Sequence, residues 1–255
     1  MVRENSSLHG AERPHVNGLA GGLAGGLAGG LAGARRLRAA ALALAALALL
    51  AVAAIPPSAR AQADDPVHLM ILGDSLAAGY GLPEDDAFTH DLEAALRDRG
   101  HAVEVLNAGV SGDTTAGGLA RLDWALADEP DAVMVELGAN DGLRGLDPAE
   151  TRRNLTAIVE RLQTEDIPVM LAGMYAPPNL GQAYSEDFNA IYPDLAETYD
   201  VPLYDFFLEG VATVPELNQS DGIHPNAAGV DAIVERITPA VVDFLAGAGL
   251  IEAEA

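Results

Sequence analysis

From residue 67 onward, short apolar runs alternate with longer amphipathic stretches. Residues 67–72 (VHLMIL) form a nearly unbroken apolar run, the pattern of a strand covered on both faces. Runs of the same kind occupy residues 102–106, 132–137, 167–174 and, more weakly, 201–204. Helical periodicity fills the intervals at 87–97, 114–126, 148–162 and 185–199, and a last helix is expected over 227–245. Pro148 suits the first turn of its helix, with Asp147 as the cap. Trp124, the one tryptophan, falls on an amphipathic stretch and is expected in the core. Strand–helix alternation with short links predicts an α/β fold. Its crossover helices pack back onto a parallel sheet and give three layers, α/β/α. Five strands suggest a flavodoxin-like sheet, in which function gathers beyond the carboxyl ends of the strands.

The first 63 residues follow a different pattern. Gly-Leu-Ala-Gly occurs four times in succession between Gly18 and Gly33, a low-complexity run that offers no polar anchors. Arg35, Arg36 and Arg38 then precede a 17-residue apolar stretch, 39–55, followed by Pro56-Pro57 and by Ala61-Gln62-Ala63. A positive flank, an apolar stretch and an A-x-A site together describe a secretory signal cleaved after Ala63. A retained membrane anchor is the alternative, although the stretch is short of the roughly 20 residues a span needs. The expected organisation is a low-complexity extension over 1–34, a signal peptide over 35–63 and one domain over 64–255. That domain would be periplasmic or secreted, monomeric and without stable membrane association.

Charge narrows the choice of partners. The chain has 14 basic residues, all arginine, against 38 acidic ones. After Ala63 it keeps eight of those arginines and all but two of the acids, a net charge of −28. Nucleic acid and anionic lipid both need clustered positive charge, so neither is expected as a partner. Cysteine is absent, which excludes disulfides, thiolate metal sites and a cysteine nucleophile.

Three strand ends and one late loop carry the candidate chemistry. Straight after the first strand, GDSLAAGY places Ser75 at a turn that exposes a hydroxyl; a simple helix cap is the bland alternative. After the second comes NAGVSGDT, where glycine lets a backbone N–H approach a ligand closely. After the third comes GANDG, whose Asn140 carries an amide able to donate to an oxyanion, although Asn-Asp-Gly is also a common turn. The late loop is Asp221-Gly222-Ile223-His224-Pro225. Pro225 disfavours helix at His224, and Asp221 can orient one ring nitrogen while the other faces Ser75. One Asp-x-x-His pair without nearby His or Cys is poor support for a metal site. Leu76, Leu143, Met174 and Tyr175 are candidates for an apolar groove, with ordinary core packing as the alternative. His68, His90 and His101 have no partnering motif.

GDSL, NAGVSGDT, GAND and DGIHP, in that order, resemble the sequence blocks of the SGNH (GDSL) hydrolase superfamily. The surrounding stretches are similar to its secreted bacterial arylesterase, acyl-CoA thioesterase and lysophospholipase subgroup. The resemblance implies Ser75 as nucleophile, His224 as general base and Asp221 as the orienting carboxylate. It implies an oxyanion hole made of the backbone N–H groups of Ser75 and Gly112 and the side-chain amide of Asn140. The loop GMYAPPNLG, with Met174, Tyr175 and Pro177, would contact substrate. No metal or cofactor is implied. Ala77 breaks Gly-x-Ser-x-Gly, so the turn is not the elbow of the α/β-hydrolases. Ala139 stands where the subgroup often has glycine.

The expected activity is hydrolysis of short acyl esters and thioesters, small-molecule substrates, through an acyl-enzyme. A lysophospholipase or a carbohydrate acetylesterase is the alternative, and a non-catalytic binding module on the same fold is the reading from a different class. The acid excess and the missing lysine further suggest adaptation to a salty exterior. Thermal melts in dilute buffer and in molar NaCl check this: the midpoint is expected to rise with salt, and a midpoint that does not rise rejects halophily.

Overall fold

The computed structural model describes residues 65–254. The extension over 1–34 and the signal peptide over 35–63 lie outside the described residues. Five parallel strands run β1 (Val67–Gly73), β2 (Val103–Gly109), β3 (Ala132–Glu136), β4 (Val169–Ala172) and β5 (Leu203–Tyr204), in the order β2-β1-β3-β4-β5. Every residue of β3 and β4 is buried, as expected of strands sandwiched between helices. Seven helices accompany them: α1 (Phe88–Asp98), α2 (Thr115–Ala125), α3 (Ala139–Leu143), α4 (Pro148–Thr164), α5 (Gln182–Asn189), α6 (Ile191–Tyr199) and α7 (Ala227–Gly247). Helix α1 packs on α7, whereas α4 packs on both α2 and α6, so the sheet lies between two helical layers. The α/β/α architecture and the flavodoxin-like strand order are as the alternation of apolar runs predicts.

Local chemistry sets the helix starts. The Thr114 hydroxyl accepts from the Gly117 N–H at 3.3 Å, Asp147 from Ala149 at 2.9 Å and Asn226 from Gly229 at 3.0 Å. Each satisfies a donor that the first turn leaves without a partner. The single helix expected over 185–199 is two, α5 and α6, meeting at Ala190. The expected second strand ends too early and the fourth extends too far, because strand length is set by neighbouring partners rather than by the run of apolar letters. Trp124 departs most from expectation: it is 75% exposed. The inward positions of α2 are Thr115, Gly118, Leu122 and Ala125, and Trp124 falls between the last two on the outer side.

The ends of the first three strands lie side by side. Gly73, the last residue of β1, is in register with Gly109 of β2 and with Glu136 of β3. Gly109 must be glycine, because a Cβ there would strike the backbone of Ala77 and Ala78. Beyond β3, Gly138 turns the chain with φ +119°, and a Cβ on it would strike the Tyr192 hydroxyl. That hydroxyl donates to the Leu137 carbonyl at 2.7 Å.

Glu136 is fully buried. Its Oε2 accepts from the backbone N–H groups of Asp74 (3.2 Å) and Ala77 (3.3 Å). Burial, reinforced by the Asp74 carboxyl, pushes Glu136 well above the usual glutamate range. The unfolded chain releases the Glu136 proton at a pH of about 4.3 and the folded chain only at a higher pH. Glu136 therefore removes stability as pH rises past that value. Glu136→Gln keeps an acceptor and loses the titration. In thermal melts its midpoint relative to the parent is expected to improve from pH 5 to pH 8; a difference independent of pH refutes the raised titration of Glu136.

Candidate active site

Ser75 lies in the turn that leaves β1. The turn is closed by Ala78 N–H donating to the Asp74 carbonyl and Tyr80 N–H donating to the Ser75 carbonyl, both at 3.0 Å. The side chain of Asp74 caps the same turn, with Oδ1 accepting from Leu76 N–H at 3.0 Å. Together with the two bonds to Glu136, these contacts fix the backbone around a serine that is only 8% exposed.

His224 reaches Ser75 from 149 residues away, with Nε2 at 2.9 Å from Oγ. Its Nδ1 is 2.7 Å from Asp221 Oδ2. The other Asp221 oxygen accepts from the backbone N–H groups of Ile223 (3.0 Å) and His224 (3.1 Å). The bond to the imidazole, then these two N–H groups, hold the Asp221 carboxyl down at about 2. A carboxylate that stays ionised selects the Nδ1–H tautomer and leaves Nε2 able to accept from Ser75. The loop carrying both groups is closed by a bridge between Asn218 and Pro225 and by Gln219 N–H donating to the His224 carbonyl at 2.7 Å. The Gln219 amide also donates to the Tyr80 carbonyl at 2.7 Å, and the Tyr80 ring lies 4.5 Å from the imidazole.

Ser75, Gly112 and Asn140, whose N–H groups are candidate donors, line the same cleft as His224. Among the described residues no acceptor engages the backbone N–H of Ser75 or of Gly112. Gly112 has φ +84°, a conformation open to glycine, and its carbonyl accepts from Arg144 at 2.6 Å. Asn140, in the single turn of α3, gives one amide hydrogen to Asp74 Oδ2 at 3.0 Å and keeps the second. The neighbouring Asp141 is buried and accepts from the Thr115 N–H (2.9 Å), the Thr115 hydroxyl (2.6 Å) and the Thr151 hydroxyl (3.1 Å), which pins α3 to α2 and α4.

The Ser75, Gly112, Asn140 and His224 positions open into one cleft of about 650 Å³. Ser75, Gly112, Asn140 and His224 line it together with Met174, Tyr175 and Pro177; Asp221 stands behind His224. Leu76 and Met174 are buried yet reach the cleft wall, whereas Leu143 and Tyr175 are exposed at its mouth, so groove and core share side chains. Tyr175 stacks on Phe206 with ring centres 4.6 Å apart. His68, His90 and His101 take no part in the cleft.

Sequence reasoning missed Asp74, Glu136, Tyr80 and Arg144. Glu136 had left a signal, a charged residue ending a run that must be buried on both faces. Asp74 had left none beyond standing next to Ser75. Burial pushes its carboxyl up to about 6, against the opposing pull of the Leu76 N–H, the Asn140 amide and His224.

Residues 71–232 match the GDSL-like lipase/acylhydrolase family. Esterase TesA of Pseudomonas aeruginosa is 42% identical over 178 residues, which span 69% of this chain and 89% of the relative. Thioesterase 1/protease 1/lysophospholipase L1 of Escherichia coli is 45% identical over 160 residues, 62% of this chain and 75% of the relative. The crystal structure of AlinE4, an SGNH-hydrolase family esterase, aligns at a TM-score of 0.61 with 49% identity, over 72% of this chain and 99% of that one. The matched stretch runs from the first strand into the last helix and takes in Ser75, Gly112, Asn140, Asp221 and His224, and the chain belongs to the GDSL-like lipase/acylhydrolase family.

Proposed function

We propose that this protein is an exported serine hydrolase that cleaves short acyl esters and thioesters through an acyl-enzyme. The observation that carries the reading is the unbroken chain from Asp221 through His224 to Ser75, at 2.7 and 2.9 Å, opening into an apolar cleft. In this reading His224 Nε2 takes the Ser75 proton as Oγ attacks the acyl carbon, because a hydroxyl is a weak nucleophile until a base accepts its proton. Asp221 holds the imidazole in the required tautomer and stabilises the imidazolium that forms. Negative charge then gathers on the former carbonyl oxygen. The N–H groups of Ser75 and Gly112 and the free Asn140 hydrogen meet it there. Collapse expels the alcohol or thiol, which leaves with the proton from His224. Water, activated by the same imidazole, releases the acid and restores Ser75.

The acyl group is assigned to the side of the cleft formed by Met174, Tyr175 and Pro177. The relatives named esterase and thioesterase/lysophospholipase support ester and thioester bonds as the point of attack. Export rests on the Arg35-to-Ala63 pattern; N-terminal sequencing of the exported protein is expected to begin at Asp64, and a product that retains the apolar stretch rejects cleavage there.

Ser75→Ala is expected to abolish hydrolysis of p-nitrophenyl esters while circular dichroism and melting stay as in the parent. Asn140→Ala is expected to lower kcat by about 10²–10³ with little change in KM, the usual cost of one oxyanion donor. Full activity in Ser75→Ala disproves the nucleophile. A panel of p-nitrophenyl esters of rising chain length, an acyl-CoA and a lysophospholipid, assayed side by side, separates the short-chain reading from the lysophospholipase one. Failure of a fluorophosphonate to label Ser75, with no substrate turned over, points to a binding module.

A further inference from the structure

Asn140 can stabilise an oxyanion only if its amide is turned the right way round. An asparagine side chain has an oxygen and an NH₂ of nearly the same shape, and its terminal sp³–sp² torsion is soft. Something must decide which end faces the cleft. Among the described residues, the one hydrogen bond from the Asn140 amide nitrogen goes to Asp74 Oδ2, at 3.0 Å.

We propose that Asp74 is a positioning residue that fixes the amide of Asn140, so that one N–H is anchored and the other is aimed at the oxyanion. The inference rests on the reading of Asn140 as an oxyanion donor. Asp74 is suited to the task in three ways. It is fully buried, so water does not compete for its oxygens. Its own backbone is held, because Asp74 N–H donates to Glu136 Oε2 at 3.2 Å. Both its oxygens face donors, Oδ1 the Leu76 N–H at 3.0 Å and Oδ2 the Asn140 amide. Only an ionised carboxylate offers two acceptors in that geometry. An asparagine at 74 offers one, and its NH₂ would point at either the Leu76 N–H or the Asn140 NH₂. The second case drives the Asn140 amide to turn over and presents its oxygen to the developing negative charge.

The arrangement also ties the nucleophile to the donor it needs. The residue that aims Asn140 precedes Ser75 in the chain, so the Ser75 N–H and the Asn140 N–H are set from one rigid turn. Near Asp74 the titratable groups are Glu136 on β3 and His224 on the late loop. Burial pushes both carboxyls up, Asp74 to about 6 and Glu136 well above the usual glutamate range.

The test is a double-mutant cycle on the full-length protein with p-nitrophenyl butyrate, using Asp74→Asn, Asn140→Ala and the pair. Asp74→Asn is expected to lower kcat about 10- to 100-fold, the range for a misplaced catalytic group, with KM within threefold of the parent. In the Asn140→Ala background the same change is expected to cost less than threefold, because there is no amide left to aim. A general structural role would lower activity by the same factor in both backgrounds. Should Asp74→Asn fail to fold by circular dichroism, Asp74→Ser, which fits the space and keeps one acceptor, goes through the same cycle with the same expectation. Parent-like kcat in the single variant, or losses that multiply in the pair, overturn the inference alone. Full activity in Asn140→Ala overturns the reading of Asn140 and this inference with it.

Discussion

The site depends on the hydrogen-bonded register of three parallel strand ends. With Gly73 level with Gly109 and Glu136, the segments that follow β1, β2 and β3 leave the sheet from one edge at neighbouring points. Ser75, Gly112 and Asn140 lie two, three and four residues beyond those ends, too few for the chain to wander. A shift of one strand by a single residue would invert its buried faces and move its donor away from the other two. Sheet stability and alignment of the donors are therefore one physical quantity. Only the base arrives from elsewhere, on a loop that must find the same point from far along the chain.

Close approach of backbones has a chemical counterpart in the acids placed beneath the nucleophile. Asp74 and Glu136 are both buried, and burying an unpaired charge is costly enough that a carboxyl takes up its proton instead. Glu136 is pushed in that direction and serves as an acceptor for two backbone N–H groups, one of which belongs to Asp74. Its other oxygen has no hydrogen-bond partner among the described residues. An incompletely satisfied acid under a catalytic turn is the kind of local loss of stability that a well-packed surrounding core can absorb. Here that core includes the fully buried β3 and the Tyr192 ring.

Much of the fold and the site was legible in the sequence, for identifiable reasons. Strands buried on both faces must be apolar at successive positions, so 67–72 and 132–137 could be read directly. The chemistry clusters at chain reversals, and each reversal carries its own signature in glycine, asparagine or proline. Ser75, Gly112, Asn140, Asp221 and His224 are brought together as those blocks imply. What could not be read depends on three-dimensional neighbours. Trp124 satisfies a helical pattern by letter but faces outward, since only the sheet's position says which side of α2 is covered. The break at Ala190 has no glycine to announce it and no proline before Pro193, already inside α6. The link from Asp74 to Asn140 crosses 66 residues and leaves no periodic trace.

The late loop holds one more consequence. Asp221 and His224 sit three residues apart, and the carboxylate grips both the imidazole and the backbone of its own turn. His224 and Asp221 are thus a single cassette, clipped to the rest of the protein by Gln219 and the Tyr80 ring. A displacement of that cassette would disengage it whole, like a clutch plate, with its internal geometry intact.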